Sequence, residues 1–268
     1  VTPLPAASTG KLSIPASIVD ESGRKLVNLR HFPLEVKIDA APPLVKFAAT
    51  FGIIEASEGG ILPVTVRAVE PALAQRVSKV GGEMLRVDAS DGQIAQWLRD
   101  LDDADDNEFR TETIRGEKVE VNHTGTRPLL SGKGEAVSLA LPGKGKDFEV
   151  VGIPLSEPGF YVVELNSPIL GRALLGRNVP RYVAAGALVT NMAVHFKWGR
   201  EGSLAWVTTL DTGLPVAAAD VRVTDSCDGR QLARGVTDKQ GRLVIRGGLP
   251  APETYGSCDE NSDSHALM

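Results

Sequence analysis

The sequence of 268 residues is poor in cysteine, in aromatic side chains and in positive charge. It contains 2 cysteines, 5% aromatic residues, and 29 lysines and arginines against 34 acidic residues, for a net charge of −5. This acidic balance argues against a nucleic-acid partner, which would need a basic face. No apolar run approaches the roughly 20 residues of a membrane-spanning helix. The charge balance and the short apolar runs therefore argue against two broad classes of function without selecting one.

Glycine and proline are instead plentiful, with 28 and 17 copies, and they separate runs in which apolar and polar residues alternate. The clearest stretch is 186–224, in which Met192, Val194 and Phe196 alternate with polar residues. Alternation of this kind predicts antiparallel strands with one buried face. Trp206 lies in a second such run, and we therefore expect it in the core.

Composition divides the chain into three parts. Residues 1–41 are expected to hold a flexible lead-in and the closing strands of an upstream domain, and the Pro42-Pro43 pair that follows marks a linker because proline disfavours helix. Residues 42–180 contain enough strand-like runs for a β-sandwich, and residues 181–268 contain five or six more. We therefore expect an all-β fold of tandem β-sandwich domains.

One segment of the middle part departs from the period of two. Four apolar residues recur at i, i+3, i+4 and i+7 and would share one face of a helix: Ile94, Trp97, Leu98 and Leu101. The pattern predicts one short helix near residues 91–101, with Ser90 or Asp91 as its cap. Because strand-like runs flank the segment on both sides, we expect the helix to be an insertion between strands.

An acidic run at 100–108, with the sequence DLDDADDNE, is the strongest candidate for a metal site. Asp103 and Asn107 belong to an alternation that resembles the ligands of a calcium loop. Such a loop needs glycine at its sixth position and a bidentate glutamate at its twelfth, but Glu108 and Ile114 stand there. We therefore expect a solvated charge run that ends the helix.

Other candidate sites have weaker signals. The histidines are scattered, and no pair has the spacing of zinc ligands: His31, His123, His195 and His265. The Gly-Lys-Gly loops at 132–134 and 143–145 lack the strand and helix that flank a phosphate-binding loop, so we expect hairpin turns there. We expect no catalytic residues, no metal and no cofactor.

Longer strings carry a resemblance to a known family. TNMAVHFKWGREGSLAWVTTLDTGLPVAAADVRVTD and GVTDKQGRLVI, both after residue 189, resemble a macroglobulin-like domain of the bacterial alpha-2-macroglobulin family. The strings PPLVKFAATFGIIEASEGGILPVTVRAVEP and IPLSEPGFYVVELNSPILGRALLG extend the resemblance to most of the chain from about Pro42 onward. It implies that 42–180 and 181–268 are macroglobulin-like sandwiches related to fibronectin-like and immunoglobulin-like domains, the second truncated at its C-terminal strand.

The resemblance implies a function without chemistry. The chain would be a non-catalytic structural and protein-interaction segment of a periplasmic alpha-2-macroglobulin-like protein, of the endopeptidase-inhibitor and envelope-defence type. The parent protein is expected to be a lipoprotein whose secretion signal and membrane anchor lie outside this segment. The expected partners are other domains of the parent chain, target proteases, and peptidoglycan-synthesis or other envelope proteins, but no nucleic acid.

The two cysteines fit an oxidising compartment. Because their number is even and the family is periplasmic, we expect a disulfide between Cys227 and Cys258, and the alternative is two free thiols. A bridge would close a loop of about 30 residues and add roughly 3 kcal/mol of stability. The string Cys258-Asp259-Glu260-Asn261 is close to the family's Cys-x-Glu-Gln thioester motif, but asparagine replaces the glutamine. We therefore expect no thioester in this segment.

Trp198, directly after Lys197, is a candidate interaction surface at a contact with a domain or a partner protein. The alternative for this residue is half-buried packing. The alternative for the whole chain is a standalone β-sandwich adhesin or carbohydrate-binding module. Such modules usually display a row of exposed aromatic side chains, and the low aromatic content of 5% argues against one here.

Overall fold

The computed structural model describes residues 5–79, 91–141, 148–247 and 249. Within them the chain forms seventeen strands and two α-helices, so the all-β fold class predicted from the sequence is confirmed. The chain separates into two compact units, Val1–Pro43 and Leu44–Met268. No described helix has both the length and the apolar character needed to cross a bilayer.

The first unit is a small hairpin-like structure. Strands β1 (Ser8–Leu12) and β2 (Leu34–Ile38) pair antiparallel, and a 3-10 helix, Leu29–His31, precedes β2. Between them, Asp20 accepts hydrogen bonds from the backbone N–H groups of Ser22 and Arg24 at 3.0 and 2.9 Å, which fixes a tight turn. None of its described residues is buried, because two strands alone cannot enclose a core.

The second unit begins with a sandwich of two sheets, which we call the middle sandwich. One sheet has the order β10-β5-β3 and is formed by β3 (Leu44–Phe47), β5 (Ile61–Arg67) and β10 (Glu149–Pro154). The other has the order β4-β12-β11-β6-β9 and is formed by β4 (Phe51–Glu55), β6 (Ala72–Ser78), β9 (Glu135–Ala140), β11 (Gly159–Ser167) and β12 (Arg181–Thr190). In this sheet β12 and β4 are parallel, and the other pairs are antiparallel.

Strand β11 lies in the centre of the five-stranded sheet and is covered on both faces. Tyr161 and Val163 point into the core between the two sheets, whereas Phe160 and Val162 point to the opposite face, where they pack against a helix. Burial on both faces explains why this strand has a continuous apolar run instead of an alternation.

The second layer on that face comes from an insertion between β6 and β9. These strands pair directly, with Val77 opposite Glu135, so the chain leaves the sheet and returns to the same place. The insertion contains helix α1 (Asp91–Asp105) and a hairpin of β7 (Phe109–Ile114) and β8 (Glu117–Asn122). The inserted helix is present as predicted, but it is longer than residues 91–101 and extends into the acidic run.

A second helix, α2 (Pro168–Leu175), directly follows β11 and corrects the prediction of one helix. Its start has a proline in the first turn, and the Ser167 hydroxyl oxygen accepts from the N–H of Leu170 at 3.0 Å. It ends at Gly176, which adopts the left-handed conformation. The sequence contains both the start signal, Ser-Pro, and the stop signal, Gly, of this helix. Eight residues are nevertheless too few to show a clear helical periodicity.

The chain then forms the C-terminal sandwich. One sheet, in the order β13-β14-β17, consists of β13 (Met192–Lys197), β14 (Gly202–Thr209) and β17 (Arg242–Arg246), and the other pairs β15 (Asp220–Thr224) with β16 (Gln231–Val236). Only Asn191 separates β12 from β13. The predicted domain ranges 1–41, 42–180 and 181–268 stay predictions, but strand pairing assigns β12 to the middle sandwich.

The core of the C-terminal sandwich differs from the sequence prediction. Trp206 was expected in the core, but it is 42% exposed, because its neighbours Ala205 and Val207 occupy the inward positions of β14. Met192 and Val194 share the inward face of β13 by register, yet they remain 50% and 59% exposed. The opposite sheet has two described strands and covers only part of this face.

Candidate functional site at the joint between the sandwiches

Helix α1 packs closely on the five-stranded sheet. The predicted apolar face of the helix is confirmed, since its residues pack around the buried Leu101 together with Phe160 and Val162. The helix approaches the sheet at Gly186 of β12, where an added Cβ would lie 2.8 Å from the Leu101 Cδ1. A side chain at this position would push the helix outward, so the glycine sets the helix-to-sheet distance.

The other end of α1 contacts the C-terminal sandwich. The Asp91 Oδ2 accepts a hydrogen bond from the Thr224 hydroxyl at 3.1 Å, and its Oδ1 lies 3.4 Å from the Arg222 Nη1. Both partners belong to β15. The Asp91 and Arg222 side chains are 30% and 42% exposed, so we expect a modest energy from this ion pair. The contact fixes the orientation of the Asp91 carboxylate, because its two oxygens meet two different side chains, those of Thr224 and Arg222.

Two glycines allow this contact to be close. A Cβ on Gly229, in the turn between β15 and β16, would lie 2.8 Å from the Gly92 Cα in the first turn of α1. Gly229 also has a φ of +74°, a backbone conformation that L side chains rarely adopt. The backbones of the helix and of the turn therefore touch directly.

Asn191, the residue between the two sandwiches, is held on both sides. Its carbonyl accepts from the N–H of Leu210 at 2.9 Å, and its side-chain oxygen accepts from the N–H of Asp211 at 3.3 Å. The link between β12 and β13 is therefore anchored to the end of β14 and is not a free linker. We call this link, together with the contacts of Asp91 and Gly92, the joint.

A cavity of about 450 Å³ lies beside the joint. Ile94 and Ala95 of α1 bound it on one side, and Met192 and Val194 of β13 bound it on another. The inward face of β13 that the second sheet leaves open therefore faces the helix across this space. Its lining is mainly apolar. Of its three charged members, Asp91 and Arg222 are paired with each other, and Asp220 is paired with Arg234.

The insertion is also tied to the sheet by a buried carboxylate. Glu164 of β11 is 2% exposed, and its Oε2 accepts from the backbone N–H groups of Leu129 and Leu130 at 2.5 and 3.3 Å. Burial raises the pKa of this carboxyl above its ordinary value, against the opposing effects of the two N–H donors and of the Arg76 charge. The loop that closes the insertion is therefore fixed to the central strand by a side chain.

The acidic run forms the last turn of α1 and the start of the hairpin. It borders a cavity of about 420 Å³, but Glu108 within it is engaged by Arg110 and Arg127. Among the residues that the structure describes, no three His, Cys, Asp or Glu side chains are arranged to hold a metal ion.

The remaining predicted residues do not converge on one site. His123 contacts Glu112 at 2.5 Å, whereas the His195 ring packs at a tilt against Trp206 with 5.5 Å between ring centroids. Trp198 follows β13 and is partly buried, and its role as an interaction surface stays a prediction.

Of the two cysteines, Cys227 lies in the turn between β15 and β16 and is disulfide-bonded. Cys258 lies outside the described residues, as do Asn261 of the near-thioester string and His265. The pairing of Cys227 with Cys258 therefore stays a prediction.

From the sequence, Asp91 was predicted only as a candidate helix cap. Arg222, Thr224 and Glu164 were not predicted as site residues. A signal existed for Glu164, because it is the one charged residue within the apolar run of β11. No local signal marks the β15 partners, because their contact with α1 depends on how the insertion folds back.

Residues 189–268 match the family model for the bacterial alpha-2-macroglobulin MG3 domain. The family resemblance inferred from the sequence is therefore confirmed for this part of the chain. No curated protein matches the chain.

Solved alpha-2-macroglobulin structures match the chain at low sequence identity. The structure of native Escherichia coli alpha-2-macroglobulin that spans domains NIE-MG1 is 16% identical to this chain and has a TM-score of 0.50. The match covers 77% of this chain and 88% of that one. For the E. coli structure spanning MG0-NIE-MG1, the values are 16% identity, 80% and 60% coverage, and a TM-score of 0.49. The cryo-EM structure of the native E. coli protein is 14% identical to this chain and has a TM-score of 0.42. That match covers 91% of this chain and 14% of that one. The chain thus spans 60% of the second structure and a small part of the third.

Proposed function

We propose, for a chain whose residues 189–268 match the bacterial alpha-2-macroglobulin MG3 domain, a structural role as a spacer that holds two sandwiches at a fixed angle. The chain would be a non-catalytic, protein-interacting segment of a periplasmic alpha-2-macroglobulin-like protein of the protease-inhibitor and envelope-defence type. The parent would be a lipoprotein, and its partners would be its own other domains, target proteases and envelope proteins.

The joint is the observation that carries this proposal. Helix α1 is fixed to the middle sandwich at Gly186 and to the C-terminal sandwich at Asp91, so one rigid element reaches both. Asn191 gives a second connection at the direct link between the sheets. A helix of 15 residues spans about 22 Å, which is enough to bridge two adjacent sandwiches. Two connections that are separated in space resist rotation, whereas a single linker does not.

The experiment compares protease retention by the parent protein with the joint intact and with it opened. Asp91→Ala combined with Arg222→Ala removes the polar contacts of the helix. Asp220→Ala combined with Arg234→Ala is the matched control, because it removes an exposed 2.9 Å ion pair on the same small sheet and leaves both contacts of Asp91 in place. Protection of the captured protease from a large protein inhibitor is the readout.

We expect the joint variant to retain less protease than the control variant at equal folded concentration. Equal retention by both variants would contradict the spacer role. The non-catalytic part of the proposal has its own test, in which the purified chain is incubated with a panel of ester, peptide and glycoside substrates. Turnover above that of the buffer, abolished by a point substitution, would contradict it.

A further inference from the structure

The outer face of the C-terminal sandwich carries an unexpected group of side chains. Antiparallel register places His195, Trp206 and Arg242 side by side across the three strands β13, β14 and β17. The next row contains Lys197 and Val244. We call this surface the tryptophan face and define it by six residues: His195, Lys197, Trp206, Arg242, Val244 and Arg246.

The centre of the tryptophan face is apolar and rigid. Trp206 and Val244 are 42% and 60% exposed. The indole is fixed because its Nε1 donates to the carbonyl of Gln240 at 3.1 Å and its ring packs at a tilt against His195, with 5.5 Å between ring centroids. A large side chain that is already held in place loses little conformational entropy when a partner covers it.

The rim of the tryptophan face is cationic, although the whole chain has a net charge of −5. Lys197, Arg242 and Arg246 contribute three positive charges, and Asp238 contributes one negative charge. Asp238 lies 3.2 Å from the Arg242 Nη2, which orients the guanidinium while 51% of the Arg242 side chain remains exposed. An apolar centre with a charged rim, rich in Trp and Arg, is the usual composition of a protein-binding surface.

We propose that the tryptophan face docks an acidic, extended polypeptide segment of another protein. This inference deepens the proposed function by naming the chemistry of a partner, and it rests on that function only for the expectation that the segment binds proteins. Arg242, Val244 and Arg246 occupy alternate positions of β17, so the Cα atoms of the two arginines are about 13 Å apart along the strand. A strand with acidic, apolar and acidic residues at i, i+2 and i+4 has the same spacing.

The apolar centre of the tryptophan face, Trp206 and Val244, favours a polypeptide over a sulfated glycan as the partner. A polyanionic sugar would use the three cations, but it would leave Val244 without an apolar contact. A polypeptide strand with alternating side chains uses both, because its acidic and apolar residues point to one side at the same interval. The sulfated glycan and a second copy of this chain are therefore outcomes that the test must separate.

The test uses the complete chain and a fluorescein-labelled peptide, Gly-Glu-Ser-Val-Ser-Glu-Gly, with anisotropy at low salt as the readout. We expect saturable binding that weakens as salt rises, because rim charges are screened. Replacing both glutamates of the peptide by glutamine should weaken binding at least about tenfold. Lys197→Glu combined with Arg246→Glu in the chain should do the same.

A matched control keeps the proposal falsifiable. Lys46→Glu combined with Lys118→Glu changes the net charge equally at exposed positions elsewhere and should leave binding within about twofold. Trp206→Ala should weaken binding several-fold, and Trp206→Phe should recover part of the loss because an aromatic ring is restored.

Four results would overturn the proposal. They are absence of peptide binding at 1 mM (about −4 kcal/mol), equal loss in the two charge-reversed pairs, tighter binding of a heparin hexasaccharide than of the peptide, and a chain that dimerises through this face. Equal protease retention by the joint and control variants, with peptide binding intact, would count against the spacer role alone, so the two failures can be distinguished.

Discussion

The middle and the C-terminal sandwich have similar alternation in their sequences but bury it to different extents. The core of the middle sandwich contains sixteen buried residues, whereas that of the C-terminal sandwich contains three, Ala205, Val207 and Val221, among the residues that the structure describes. The difference follows from coverage, because β11 is packed on both faces while β13 faces a cavity. Alternation therefore identifies which side chains share a face, but it does not predict whether that face is covered.

The C-terminal sandwich depends more on polar turns. Asp238 accepts from the backbone N–H groups of Gln240 and Arg242 at 2.8 and 2.9 Å, and the buried Asp225 accepts from the N–H of Cys227 at 2.9 Å. Small cores usually need such added constraints, including disulfides. The middle sandwich is therefore held together mainly by apolar burial, whereas the C-terminal sandwich is held together mainly by polar turns and a disulfide.

The largest expected effect contrasts core positions in the two sandwiches. Leu165→Ala in β11 removes a side chain that is 0% exposed, and we expect a loss of about 2–5 kcal/mol in the free energy of unfolding. Val194→Ala, at 59% exposure, should cost less than about 0.5 kcal/mol. Amide hydrogen exchange resolved by sandwich is the measurement, because two domains need not unfold as one. Equal losses would show that β13 is covered in solution.

The second prediction concerns the bridge at Cys227. Cys227→Ser should lower the stability of the C-terminal sandwich by about 3 kcal/mol and leave the middle sandwich unchanged. The same exchange measurement, repeated with the wild-type chain under a reductant, checks that the effect comes from the bond. Cys258→Ser should match Cys227→Ser if the predicted pair is correct. A difference of more than about 1 kcal/mol between the two variants would contradict the pairing.

The third prediction tests the close packing of α1 on the sheet. Gly186→Ala places a methyl group 2.8 Å from the Leu101 Cδ1, and we expect a loss of about 1 kcal/mol because the side chain and helix must shift. Gly52→Ala on the neighbouring β4 meets nothing within 4 Å and is the control. Exchange of amides in α1 is the readout. Similar protection in both variants would mean that the helix is not held at this distance.

The smallest effects are pH dependences of opposite sign. The raised pKa of Glu164 means that its contribution to stability is complete below its ordinary value of 4.5 and is lost as the pH rises through the folded-state pKa. Glu164→Gln should therefore gain stability relative to the wild type as the pH rises from 4.5. In the C-terminal sandwich, the Arg242 backbone N–H lowers the pKa of Asp238.

The contribution of Asp238 is therefore present above its ordinary value of 3.8 and is lost as the pH falls through the folded-state pKa. Exchange measured from pH 3 to 7, with Glu164→Gln and Asp238→Asn as references, follows both trends. On acidification, the C-terminal sandwich should lose protection first. A middle sandwich that loses stability on acidification through Glu164 would contradict the assigned direction.

Much of the fold was predictable from the sequence because its signals are local. The strands, the inserted helix and its apolar face follow from periodicity, and the family strings are long. The prediction that Trp206 lies in the core was wrong. The inward face of β14 was assigned from its large residues, whereas the small Ala205 takes the inward position. The site depends on pairs such as Asp91 and Thr224, which are 133 residues apart and leave no mark on either local sequence.

The distance between the two sandwiches tests the central claim most directly. Spin labels on Val150→Cys in β10 and Val244→Cys in β17, both 60% exposed, would report its distribution by pulsed electron resonance. We predict a single narrow distribution that broadens in Asp91→Ala with Arg222→Ala and is unchanged in Asp220→Ala with Arg234→Ala. A broad distribution in the otherwise unaltered chain, or one indifferent to the joint variant, would contradict the account.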